Sequence, residues 1–233
     1  MFFGLDLASP LFWSAFGSIL LANIVLSGDN AVVIAMAART LQPAQRGKAI
    51  FWGSAAAIVM RIVLTIVAIQ LLTLPFLKLI GAVLLVYIGV DLLRGEDEGD
   101  GEGKEINGMA AAIRTILIAD LVMSLDNVLA VAAAAKGDVP LLVLGLLVSI
   151  PLIIFGATLL TKVMERFPII ITIGAALLGF LAGEMLLTDP AVTTYLGVMS
   201  SQTVTIAGVV GALLVVVLGK WLTRAHAGSD ATA

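Results

Sequence analysis

Seven stretches of the chain, near residues 12–36, 47–72, 75–93, 111–135, 139–163, 166–187 and 201–221, are almost continuously apolar. A run of about 20 such residues crosses a hydrocarbon core of about 30 Å as a helix. Hydrocarbon offers no water to backbone N–H and C=O groups, so a spanning segment must form a helix or join a closed barrel. The loops are short and the alternation expected of barrel strands is missing, so the pattern predicts an all-α, polytopic membrane protein with seven transmembrane helices. Composition agrees: only 12% of residues are charged and 61% are hydrophobic, against about a quarter charged in a soluble domain.

Several classes of function fall away at once. No cysteine is present, which excludes disulfides, thiolate metal ligands and dithiol redox chemistry. The net charge of −3 gives no basis for nucleic-acid binding, and the expected surroundings are the lipid bilayer of a cell membrane. No prosthetic group and no enzymatic activity are expected. The first span has no basic residue before it and carries polar groups in its middle, so it is expected to be retained rather than cleaved. Arg39, Arg46, Lys48, Arg94, Lys104, Arg114, Lys162, Arg166, Lys220 and Arg224 all fall on one side of the seven spans, and Lys78 and Lys136 on the other. The positive-inside rule then places the N-terminus outside and the C-terminus in the cytoplasm. Homo-oligomerisation stays open.

The chain also repeats itself. Asn23, Ser27, Gly28, Asp29 and Asn30 recur 97 positions later as Asp120, Ser124, Leu125, Asp126 and Asn127, and with an offset of 93 Pro75 meets Pro168, Gly81 meets Gly174 and Asp91 meets Glu184. A single membrane domain is expected, built from two three-helix units, 14–93 and 112–187. Because three is odd, the second unit crosses the bilayer in the opposite sense, the inverted-repeat plan that places a transporter's site between its units. A linker at 94–110 joins them, and the seventh helix at 201–221 and polar tail at 222–233 lie outside the repeat. The linker is acidic and Gly-rich; its Glu98, Asp100 and Glu102 imitate an EF-hand start, but Met109 stands where the loop's last carboxylate belongs, so it reads as a solvated spacer.

Three acids lie deep in the expected membrane, Asp29, Asp120 and Asp126, against one deep base, Arg61. Each charge near the bilayer centre costs about 2.5–3.5 kcal/mol, so three ask for roughly 8–10 kcal/mol before pairing. One arginine cannot neutralise three carboxylates; protonation or a bound cation must do the rest. Asn23, Ser27 and Asn30 share one helix face, as do Asp120, Ser124 and Asn127, and each stripe is a row of oxygens of the kind a hard cation accepts. Asp29 and Asp126 sit about 100° round an ideal helix from the Asn that follows, so one shared ion needs local unwinding or several helices. Gly28 allows such a break in the first unit; Leu125 does not favour it in the second. With His226 in the polar tail as the sole histidine, the donors are oxygens plus the thioether of Met123, a set that suits Mg²⁺, Ca²⁺ or Mn²⁺ better than Zn²⁺ or Cu. Each residue also has a plainer reading: Met123 as packing, Ser27 and Ser124 as interhelical hydrogen bonds, Arg61 as a lock on one aspartate, and Asp91 and Glu184 as interfacial acids rather than gating carboxylates.

The paired SGDN and SLDN motifs, the three-plus-three repeat and the seventh helix resemble the TerC family of integral membrane proteins over roughly residues 10–222. The family belongs to a wider transporter superfamily, and several members are associated with Mn²⁺ efflux. The resemblance implies export of a divalent metal ion, Mn²⁺ favoured, with Asn23, Asp29, Asn30, Asp120, Asp126 and Asn127 as its binding positions, and Asp120 in place of Asn23 making the second unit the more charged. Three rivals remain: the same fold carrying Ca²⁺ or an amino acid, a non-transporting stress-response scaffold, and an intramembrane aspartyl protease built on Asp29 and Asp126. The last lacks its expected glycine, because Leu26 stands there.

Overall fold

A computed structural model describes residues 13–14, 16–18, 21, 28–71, 74–94, 102–134 and 139–230. Eight helices order the described chain: α1 Gly28–Arg39, α2 Pro43–Leu71, α3 Leu77–Arg94, α4 Glu102–Ala134, α5 Val139–Arg166, α6 Ile169–Thr188, α7 Pro190–Leu196 and α8 Ser201–Asp230. No strand occurs among the described residues. The molecule is an all-helical, multi-pass integral membrane protein.

Among the described residues five helices are long and apolar enough to cross a bilayer, with windows at Pro43–Thr65, Gly108–Leu125, Val143–Arg166, Ile169–Thr188 and Ser201–Thr223. Of the two other expected spans, the one at 12–36 lies partly outside the described residues, which give α1 12 residues, and α3 has 18 that include Lys78, Asp91 and Arg94. Two boundaries also differ from expectation. α4 begins at Glu102, inside the stretch read as a linker over 94–110, and α8 continues to Asp230 through most of the stretch read as a polar tail. Once a helix is nucleated by an apolar span, adding a polar residue needs only one more backbone bond, so helices outrun the hydrophobic pattern that announces them. The short α7 is an addition to the expected helices; Asp189 caps it, Pro190 stands at its first position and Gly197, with a φ of 80°, ends it.

Packing follows the small residues. Between two helices in lipid there is little hydrophobic drive, so close contact and dispersion hold them together. A Cβ at Gly183 would run into the Ala207 carbonyl, and one at Gly179 into the Gly211 carbonyl, so α6 and α8 meet backbone to backbone. Gly81 of α3 faces Met185 and Gly89 faces Leu178, which sets α3 and α6 antiparallel. Gly53 of α2 faces Ile116 of α4, and eight residues on Arg61 meets Ser124, which sets α2 and α4 parallel.

The helix pairs form a pattern. α2 packs on α4 and α1 on α5, while α3 packs on α6, and α8 lies outside against α6 and α3. Gly81 of α3 accommodates Val122 of α4, and Gly174 of α6 accommodates Val32 and Met36 of α1. The common core at this seam is apolar and includes Met36, Leu85, Ile116, Leu146 and Leu178.

Candidate functional site

Polar groups interrupt that core where α1, α2 and α4 meet. On α2 the buried face runs Ser54, Ala57, Ile58, Arg61, Leu64, and on α4 it runs Ile116, Ala119, Asp120, Met123, Ser124. Both stripes have helical i, i+3, i+4 spacing. Because the two helices run parallel, Arg61 lies beside Asp120 and Ser124. Its Nη2 donates to Asp120 Oδ1, its Nε donates to Ser124 Oγ at 3.0 Å, and Ser124 Oγ donates to Asp120 Oδ2 at 3.2 Å. Arg61 is 2% exposed, Asp120 5% and Ser124 0%, so the triad is dry. A buried pair of this kind stands only when its hydrogen bonds are made, as they are here.

Asp29 enters from α1. Its Oδ1 accepts the Asn30 N–H at 2.8 Å. The carboxylate is half-buried and feels both the Arg61 guanidinium and the Asp120 carboxylate electrostatically. Asn30 beside it is 2% exposed. Among the described residues, two carboxyl groups therefore lie near one guanidinium inside an apolar bundle, and the second needs a proton or a cation to balance it.

The other expected site residues divide into three groups. Asp126 and Asn127 lie in α4, with side chains outside the described set, and Asn23 and Ser27 lie outside the described residues altogether. Met123, 5% exposed, packs in the apolar seam. Asp91 and Glu184 are half-buried at opposite ends of the antiparallel α3–α6 pair. Among the described residues no group of three His, Cys, Asp or Glu side chains comes together; what converges is two carboxylates, a guanidinium, a hydroxyl and an amide.

Two further polar clusters lie beyond the expected site. Asp189, just past the end of α6 and 0% exposed, accepts N–H bonds from Phe76 at 3.0 Å, Leu79 at 3.1 Å and Ala191 at 2.7 Å, tying α3, α6 and α7. Phe76 is held there with a φ of 67°, a left-handed conformation unusual for a bulky residue. Burial opposes ionisation of Asp189, but the N–H groups of Phe76, Ala191, Leu79 and Lys78 together outweigh it and hold the carboxyl below its ordinary value. Its sequence signal is the Asp-Pro pair at 189–190, a helix-start signature. At the opposite end Arg46 pairs with Glu165 and donates to the Leu41 and Arg39 carbonyls, while Arg39 donates to the Leu92 carbonyl at 2.9 Å.

Comparison with known proteins now decides the lineage. The family model described as "Integral membrane protein TerC family" matches residues 8–227. The chain belongs to the TerC family. Within it, the TerC-family chain is 45% identical to the Bacillus subtilis membrane protein YjbE over 174 residues, 75% of this chain and 79% of that one. Bacillus subtilis YceF is 26% identical over 77% of this chain and 73% of its own. The Escherichia coli inner membrane protein YoaE is 25% identical over 72% of this chain but only 36% of its own. No solved structure matches.

Proposed function

We propose that this TerC-family protein is a secondary transporter that exports a divalent metal ion, Mn²⁺ first among them, from the cytoplasm across a bacterial inner membrane. The observation that carries the reading is two carboxyl groups, Asp29 and Asp120, beside one buried guanidinium, Arg61, so that a proton or a cation must balance the second. A divalent cation seated between Asp29 and Asp120 would supply the missing positive charge, with Asn30 adding an amide oxygen and, from the repeat, Asp126 and Asn127 completing an oxygen donor set. A proton competes for the same carboxylate oxygens, so proton entry and metal release can be coupled at one site.

The proposed architecture is the one the repeat implies: seven spans, two inverted three-helix units with the site between them, N-terminus outside and C-terminus inside. The antiparallel α3–α6 pair and the reciprocal contacts of Gly81 and Gly174 support it, since equivalent helices of oppositely inserted units meet in this way. An amino-acid cargo is the second reading, and Arg61 is what favours it: a zwitterion needs one guanidinium and one carboxylate. Transport into proteoliposomes separates the two. Mn²⁺ uptake that is abolished in Asp29→Asn and Asp120→Asn supports the metal reading; uptake unchanged in both ends it, and competition by amino acids but not by Ca²⁺ transfers the site to the second reading.

A further inference from the structure

The two ends of the seam between the units are fastened differently. At one end Asp189 pins α3 to α6 and α7 through backbone N–H groups, fully buried. At the other end the seam is crossed by an ion pair whose side chains are 23% and 51% exposed, Arg46 from α2 and Glu165 from α5. Buried backbone bonds are hard to exchange for water, whereas an exposed ion pair is readily broken.

The pair has a further peculiarity. Arg46 stands in the first turn of α2 and Glu165 in the last turn of α5, each at the helix end whose dipole disfavours its charge. Paired, each instead faces the end that suits it. Arg46 reaches the C-terminal end of α5 and, through Nε at 2.8 Å, the Leu41 carbonyl just beyond α1 and, through Nη2 at 3.2 Å, the carbonyl of Arg39, the last residue of α1. Glu165 reaches the N-terminal end of α2. When the seam parts, both charges return to unfavourable helix ends, so one contact couples the packing of α1, α2 and α5. Arg39, bonded to the Leu92 carbonyl of α3, ties the same turn to the fixed frame.

We infer that Arg46 and Glu165 form a gate closing the arginine-rich end of the seam over Asp29 and Asp120, and that α3, α6 and α8 are the frame against which it opens. The inference rests on the transporter reading for its purpose, but the gate is testable without any cargo. The chain has no cysteine, so a single one can be placed at will. Ala49, one turn beyond Arg46, is 0% exposed and packs against Leu41 of the α1–α2 turn and Ala112 of α4, across the seam.

The test is the labelling rate of Ala49→Cys by a water-soluble maleimide, in purified full-length protein. Labelling is expected to be slow, to rise about two- to tenfold when Glu165→Gln is added, and to stay slow with Glu165→Asp, which keeps the charge. Raising salt from about 0.05 to about 1 M shortens the Debye length to about 3 Å; it should speed labelling with Glu165 intact and leave the Glu165→Gln background unchanged. Equal rates with and without Glu165→Gln and no salt effect, or equal acceleration by Glu165→Gln and Glu165→Asp, overturn the gate. No metal enters this assay, so its failure leaves the transport reading standing, and failure of Mn²⁺ uptake beside a positive labelling result removes the cargo and keeps the gate.

Discussion

Replacing Asp189 isolates the strongest cross-linking group outside the membrane spans. Its Oδ1 accepts from Phe76 and Ala191 and its Oδ2 from Leu79. Asp189→Asn keeps one carbonyl oxygen but turns an NH₂ toward the Leu79 N–H, so one charge-assisted bond is lost, worth about 1.5–3 kcal/mol. Asp189→Ala removes all three and leaves two helix starts uncapped, about 2–4 kcal/mol in total at about 1–2 kcal/mol per cap. Amide hydrogen exchange of peptides covering 76–79 and 189–191 reads this directly, because about 1.4 kcal/mol is a tenfold change in opening equilibrium. The Asn variant should exchange there at least about tenfold faster and the Ala variant faster still, with the α8 amides little changed. The pH dependence has a fixed sign. Asp189 has a folded pKa below its ordinary value of 3.8, so its contribution is complete above that value and is lost as pH falls through the lower folded one. The unfolding midpoint of the unaltered protein should drop on acidification below about pH 4, and the drop should be smaller in Asp189→Asn. Wild-type exchange rates in Asp189→Ala, or an acid limb unchanged in Asp189→Asn, would refute the claim that this carboxylate fastens the frame.

Other consequences can be checked with the same protein. Arg61→Gln strands Asp120 as a buried charge and should cost about 3–5 kcal/mol; added Mn²⁺ should restore more thermal stability to this variant than to the unaltered protein, and equal protection would show that excess charge does not draw the ion. Ser124→Ala loses one bond to Arg61 and one to Asp120 and should lower stability by about 0.6–1.7 kcal/mol, measured as a thermal midpoint in detergent. Gly183→Leu forces α8 off α6 at Ala207 and should expose the α6–α8 loop to proteolysis while Mn²⁺ binding at the triad persists; retained protection would mean that this contact is dispensable.

Much of the fold was written in run lengths. Apolar runs announced α2, α4, α5, α6 and α8, because a bilayer imposes length and hydropathy on any helix that crosses it. Charge counting likewise singles out Asp29, Asp120, Asp126 and Arg61 ahead of any packing, since an uncompensated charge in hydrocarbon needs an explanation wherever it packs; the Asp126 side chain lies outside the described set. Arg61 donates to Asp120 and lies within electrostatic reach of Asp29. Helix ends were less legible at Glu102 and Asp230, where polar residues extend a helix that apolar ones began.

What tertiary structure alone decided is which groups meet. Arg61 and Asp120 are 59 residues apart, and they pair because α2 and α4 run parallel with Gly53 letting Ile116 close in. Asp189 lies in a loop by hydropathy, yet it is buried because the start of α3, 113 residues away at Phe76, folds its N–H groups around it. Arg46 and Glu165 each sit at the wrong end of their own helix and make sense only beside each other. Sequence sets what each segment must be, because solvent acts on every residue locally; partnership across the bundle depends on helix direction and register, which only the packed chain possesses.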